Sequence, residues 1–176
     1  MPNPRPRKSK INWSKYVIII LLGLALIAFI LQSIPRGGGR PDQSSPRFVD
    51  MGDLTILDES GEELTTIDIE LAQSEEQRQR GLMWRRSMDE DQGMLFLMDS
   101  LAPQSFWMLN TYIPLDIIYV DENKQIVSIA ENTEPENRDP IPSGAPALYV
   151  LEVNAGFTRR HRINPGDRLE WTFDYR

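Results

Sequence analysis

The chain has 176 residues, one histidine and no cysteine, which excludes disulfides, thiolate nucleophiles, cysteine-based zinc sites and iron–sulfur clusters. Its net charge of −7 conceals a division: residues 1–47 carry eight Lys or Arg and one acid, whereas residues 48–176 carry 11 basic and 25 acidic side chains, net −14. A folded region of that charge repels phosphate, so no nucleic acid partner is expected.

Residues 1–15 form a basic N-terminus, and residues 16–34 read YVIIILLGLALIAFILQSI, nineteen positions without a charge. At about 1.5 Å per residue they span about 28 Å of a roughly 30 Å hydrocarbon layer, which predicts a single transmembrane helix. Arg5, Arg7, Lys8, Lys10 and Lys15 precede it and Arg36, Arg40 and Arg47 follow. The positive-inside rule therefore places the N-terminus in the cytoplasm and the rest of the chain outside the cytoplasmic membrane, with Trp13 and Tyr16 as interfacial anchors. The competing reading is a cleaved signal peptide, which calls for a shorter apolar region and an A-x-A-like site, neither of them evident here. Residues 35–47, PRGGGRPDQSSPR, are too rich in Gly, Pro and Ser to build a core and read as a flexible tether with an end-to-end distance of about 20 Å. Residues 48–176 remain for a globular domain, long enough to bury roughly two thirds of its unfolded surface.

Within that domain, 54–57 and 63–71 are short runs with β-branched residues, separated by Asp58-Glu59-Ser60-Gly61, and predict a hairpin. Ile67, Ile69 and Leu71 alternate there with Asp68 and Glu70. Ser74 followed by Gln77, with Glu75 and Glu76 in the first turn and Gly81 as a stop, predicts a short helix. Further strands are expected at 94–98, 105–108, 115–120, 126–130, 148–153 and 169–173, and Asp121-Glu122-Asn123-Lys124 is expected to turn a hairpin. Residues 134–146 contain four prolines and are expected to be a loop. Many short strands with one or two short helices predict a mainly β fold, an antiparallel sandwich or barrel.

The stretch 106–120, FWMLNTYIPLDIIYV, places Asn110, Thr111 and Asp116 among apolar residues, where polar groups must be hydrogen-bonded or face a pocket. It resembles the FWM-x-NT-x-IPLDI signature of the bacterial domain of unknown function 192 family. Separate blocks support the resemblance: Arg80-Gly81-Leu82-Met83, Gly93-Met94-Leu95-Phe96, Pro142-Ser143, Tyr149-Val150-Leu151-Glu152 and Gly166-Asp167. The resemblance implies a β-sandwich of jelly-roll type. The family usually has a basic residue where this chain has Leu109, and many relatives carry a cysteine in the Pro-rich loop, which this chain lacks. A family role needing either group does not transfer.

Two readings of the signature follow. In the first, Asn110 and Thr111 bond the backbone of a turn that Asp116 caps or braces. In the second, Trp107, Asn110, Thr111 and Asp116 line a ligand cleft with an aromatic wall. On an extended strand Trp107 and Leu109 face one way and Phe106 and Met108 the other, so an outward Trp107 favours the cleft. Catalytic candidates are confined to Asp116 and Glu152, each in an apolar strand where a raised pKa suits a general acid, with Asn110 as a substrate-orienting donor. That pair supports an envelope hydrolase, possibly on glycans, as the alternative to a non-enzymatic module binding a small ligand or an envelope protein. Ser143 has no nucleophile-elbow context, and His161 in a basic run is expected to be exposed or capping. Met83, Met88, Met94, Met98 and Met108 could ligate Cu(I), but without histidines nearby they read as core filler, and Asp89-Glu90-Asp91 reads as a solvated turn. No metal or other cofactor is expected.

Overall fold

The computed structural model describes residues 45–173. The basic segment 1–15, the expected membrane span 16–34 and most of the tether lie outside them. Among the described residues no helix is long and apolar enough to cross a membrane.

Seven strands and two short helices follow in the order β1 (Gly52–Leu57), β2 (Glu63–Ala72), α1 (Glu75–Arg80), β3 (Gln92–Phe106), β4 (Leu115–Val120), β5 (Ile126–Thr133), β6 (Ile141–Asn154), α2 (Phe157–His161) and β7 (Arg168–Phe173). All seven strands belong to one sheet in the order β5-β4-β6-β3-β2-β1-β7. The sheet curls until its two ends meet: Ile126 N donates to Asp167 O at 2.8 Å, and Leu169 N donates to Lys124 O at 2.9 Å. The fold is mainly β as expected; of the sandwich or barrel expected it is nearer the barrel, a single curled sheet or half-barrel, and not the two-sheet sandwich that the family resemblance implied. It is also mixed, because β2 and β3 pair in parallel. Residues 73–91, including α1, carry the chain back across the sheet between those strands, as a parallel pair requires.

The hairpins β1–β2 and β4–β5 form where their turn residues predict. Asp121 Oδ1 closes the second turn by accepting from the backbone N–H groups of Asn123 and Gln125, while Lys124 takes a φ of 65°. At α1, Ser74 and Gln77 form the predicted capping box. That helix buries none of its residues; its caps, and Arg78 donating to Leu97 O and Asp99, hold it in place.

The expected loop at 134–146 is corrected. Strand β6 starts at Ile141 and runs through Pro142 and Pro146, opposite Ser105 and Pro103 of β3. Proline cannot donate to a ladder, so the register slips here and side chains take over: Ser143 Oγ accepts from Gln104 N at 3.0 Å. The runs 94–98 and 105–108 correspondingly belong to one long, irregular β3 ending at Phe106.

Two cores form on opposite faces of the sheet. Leu54, Ile56, Ile69, Leu95, Ile118, Leu151 and Leu169 fill the concave interior together with Phe157 of α2. On the outer face Phe96, Met108, Leu115, Ile117, Tyr119 and Val150 pack beneath Leu82. Strand β4 is therefore buried at every position, which explains its continuous apolar reading in place of alternation.

Glu70, which alternates with the apolar Ile69 and Leu71, is nonetheless buried, on the outer face. It takes Arg85 Nη2 at 2.5 Å and Val49 N at 2.6 Å, while Arg85 Nε has no partner among the described residues. Removing one member of a buried ion pair strands the other charge. Arg85→Ala is expected to lower unfolding free energy by about 3–5 kcal/mol, and the double change Arg85→Met with Glu70→Leu to restore most of it. Urea unfolding of the three proteins checks this, and a double variant no better than the single one would contradict it.

Candidate functional site

Asp116 lies on β4 with no exposed surface. Its Oδ1 accepts from Asn132 N at 2.9 Å and Gly156 N at 3.1 Å, and its Oδ2 from Thr158 N at 3.0 Å and Thr158 Oγ1 at 2.7 Å. Four donors saturate the carboxylate. Asp116 is thus a brace, but not of the turn in its own signature: it ties β5 to the first turn of α2, a helix with no capping side chain of its own.

Asn110 and Thr111 do hold the turn. Thr111 N donates to Met108 O at 3.1 Å, and Asn110, third residue of this β-turn, has a φ of 54°. With Leu109 at negative φ, that is the position where a type II turn demands φ above zero, and asparagine tolerates it better than most residues. The Asn110 carbonyl also accepts from Trp84 N at 2.8 Å, and its Nδ2 reaches Met83 Sδ at 3.8 Å. The turn thereby fastens the signature to the segment following α1.

Between these two segments lies a cleft of about 250 Å³. Trp107, Leu109 and Thr111 form one side, Gly81, Leu82 and Met83 another, and Phe96, Phe106 and Glu152 the base. Trp107 is 52% exposed, as expected of an outward-facing residue ahead of the turn, while Met108 points the other way into the outer core. Of the residues singled out in the sequence, Trp107, Thr111 and Glu152 line the cleft. Asn110 borders it through Met83, and Asp116 has no part in it.

Asp116 and Glu152 cannot act as a pair. In the β4–β6 ladder Asp116 faces Val153, and Ile117 faces Glu152. Cross-strand partners share a face and successive residues alternate, so the two carboxylates project from opposite sides of the sheet. The hydrolase alternative loses the two-acid arrangement on which it depended.

Glu152 is 4% exposed and accepts no hydrogen bond from any described residue. Burial pushes its carboxyl up to about 8. Burial, with a smaller contribution from the Glu152 charge, raises the phenol of Tyr119, whose hydroxyl donates to Ile141 O at 2.6 Å. Gly81 makes the room above this carboxyl. Its φ of 44° and ψ of −134° lie where side chains are strained, and a Cβ there would stand 3.2 Å from Phe96 Cζ and 3.8 Å from Glu152 Oε2.

The other residues noted in the sequence have structural positions. Ser143 donates to Ala145 O, His161 stacks on Phe157 at 4.5 Å, and Met108 accepts from Thr133. Met94 and Met108 are core, while Met83 and Met98 line the cleft. Among the described residues no group of His, Asp and Glu could hold a metal ion. Sequence reasoning did not find Arg78 and Gly81 as cleft residues, although the Arg80-Gly81-Leu82-Met83 block was the signal that marked the place.

Two outcomes follow from the two acids. Asp116→Asn places an amide among four donors and is expected to lose about 2–3 kcal/mol of stability in urea unfolding; an unchanged midpoint would remove the bracing role. For Glu152 the folded carboxyl ionises later than the unfolded one. Its penalty is therefore absent below about pH 4.5, grows through the interval up to about pH 8, and is constant above. Glu152→Gln is expected to gain stability over wild type across that interval, on the order of 3–5 kcal/mol at its top. A gain independent of pH would show that the carboxyl is not desolvated.

Comparison with known proteins agrees with this fold. The sequence matches the DUF192 family, described as Uncharacterized ACR, over residues 55–171. A crystal structure from Sinorhizobium meliloti 1021, of a protein provisionally described as a transcription regulator, is 39% identical and superposes with a TM-score of 0.66 over 71% of this chain and 98% of that one. A protein of unknown function from Novosphingobium aromaticivorans DSM 12444 is 34% identical, with a TM-score of 0.66 over 77% of this chain and 100% of that one. No curated protein matches. The chain belongs to the DUF192 family.

Proposed function

We propose that this chain is a small-ligand-binding module held by residues 16–34 at the outer side of the cytoplasmic membrane. The observation that carries the binding half is Glu152, a buried carboxyl with no partner among the described residues, at the base of a cleft walled by Phe96, Phe106 and the half-exposed Trp107. Apolar walls with a few polar groups converging on one point are the usual make-up of a ligand pocket. At about 250 Å³ the cleft is near the lower end of the range for such pockets, which suits a metabolite-sized molecule better than a polypeptide. The anchoring half rests on the charge-free run of nineteen residues and the excess of basic residues before it.

Binding without turnover is favoured because the cleft offers one buried acid, with neither a paired second acid nor an activated nucleophile. The description of the Sinorhizobium protein does not extend to this reading. With 11 basic against 25 acidic residues beyond residue 47, the domain repels nucleic acid.

Ligand-observed NMR of the full-length protein in detergent micelles, against a library of small polar and aromatic compounds, tests the cleft. Trp107→Ala is expected to weaken the binders found by at least tenfold while shifting stability by less than about 1 kcal/mol, since the side chain is half exposed. Binders indifferent to Trp107 would place the site elsewhere.

A further inference from the structure

Four acids are buried among the described residues: Glu70, Asp116, Glu152 and Asp167. The chain supplies partners to three. Glu70 has Arg85 and Val49 N, Asp116 has four donors, and Asp167 Oδ2 accepts from Asn164 N at 2.7 Å. Glu152 is given none by the described residues, and it lines a cleft. The space beside it is bordered by Gly81, where a Cβ would press on the Phe96 ring at 3.2 Å and stand in ordinary contact with Glu152 Oε2 at 3.8 Å.

We propose that the cleft takes a small organic cation, an alkyl- or arylammonium, whose N–H groups donate to Glu152 while its hydrocarbon part lies against Phe96, Phe106 and Trp107. This rests on the reading of the cleft as a ligand site and names the chemistry of its occupant. A neutral donor can satisfy the carboxylate's hydrogen bonds, but only a cation also offsets its charge away from water. The walls add to this preference. Phe96 and Phe106, packed edge to face with centroids 5.0 Å apart, supply with Trp107 the aromatic surface for the hydrocarbon part, and aromatic rings whose faces meet a desolvated cation attract it but not an anion.

No charge among the described residues already fills that role. Arg78 is committed to Asp99 at 2.6 Å and to the carbonyls of Gln73 and Leu97. Glu75 and Arg80 stand exposed at the rim with opposite signs. Tyr119, on the neighbouring strand, spends its hydroxyl on Ile141 O. Burial keeps a proton on Glu152 up to about pH 8, so an arriving ammonium displaces that proton to solvent. Affinity therefore rises with pH through this range, for as long as the ligand's own nitrogen stays protonated.

Calorimetric titration of the full-length protein in detergent micelles with benzylammonium, benzyl alcohol and benzoate tests the proposal. Benzylammonium is expected to bind at least tenfold more tightly than the alcohol at pH 8, with benzoate weakest, and to weaken about tenfold or more between pH 8 and pH 6. Glu152→Gln is expected to bring benzylammonium down to the level of the alcohol. Alcohol or benzoate binding as well as the ammonium would overturn the cation class and leave the ligand site standing. No binding by any of the three at millimolar concentration would overturn both. The three-probe comparison uses the wild-type protein and is decisive even where the variant does not fold.

Discussion

Burial of the β4–β6–β3 strip on both faces is the constraint from which the other features follow. With hydrophobic cores on either side of the sheet, any polar side chain in these strands enters a dry environment and must find a partner within the protein or at an opening. Asp116 finds its partners on the concave side, in the backbone of β5 and α2. On the outer side Glu70 of β2, Met94 of β3, Glu152 of β6 and Ile117 of β4 lie in one row across the sheet. That row begins with an acid closed off by Arg85 and reaches, two strands away, an acid left open to a cleft.

The cleft is assembled from segments far apart in the chain. The end of α1 and the turn after it supply one side, and the signature supplies the other, joined where Trp84 N meets the Asn110 carbonyl. Trp84 and Asn110 both have positive φ, 63° and 54°, so the junction is made by two tight bends locked to each other. In this way a turn residue with no place in the cleft lining sets the distance between its walls.

What the sequence made legible was local. The capping box of α1, the Asp121 turn and the extent of β4 depend on neighbouring residues, and they appear as read. The parallel β2–β3 pair and the extension of β6 through Pro142 and Pro146 depend on partners dozens of residues away, and no local pattern reveals them. The burial of Glu70 was hidden for a related reason: alternation separates two faces, but it cannot show that the polar face is buried under a second layer. Of the three polar groups singled out in the signature, Thr111 and Asp116 are buried and Asn110 only partly so. The parity that sends Asp116 and Glu152 to opposite faces lies in the β4–β6 register, which only the folded chain fixes.

The meeting of β5 with β7 bears on how copies of this domain coexist. Edge strands expose unpaired N–H and C=O groups that can template pairing between molecules. Here the bridge between Gln125 and Arg168, with the bonds from Ile126 to Asp167 and from Leu169 to Lys124, makes each edge cover the other at that end of the sheet. The curl that creates a concave core also removes a surface on which neighbouring copies could stack strand against strand.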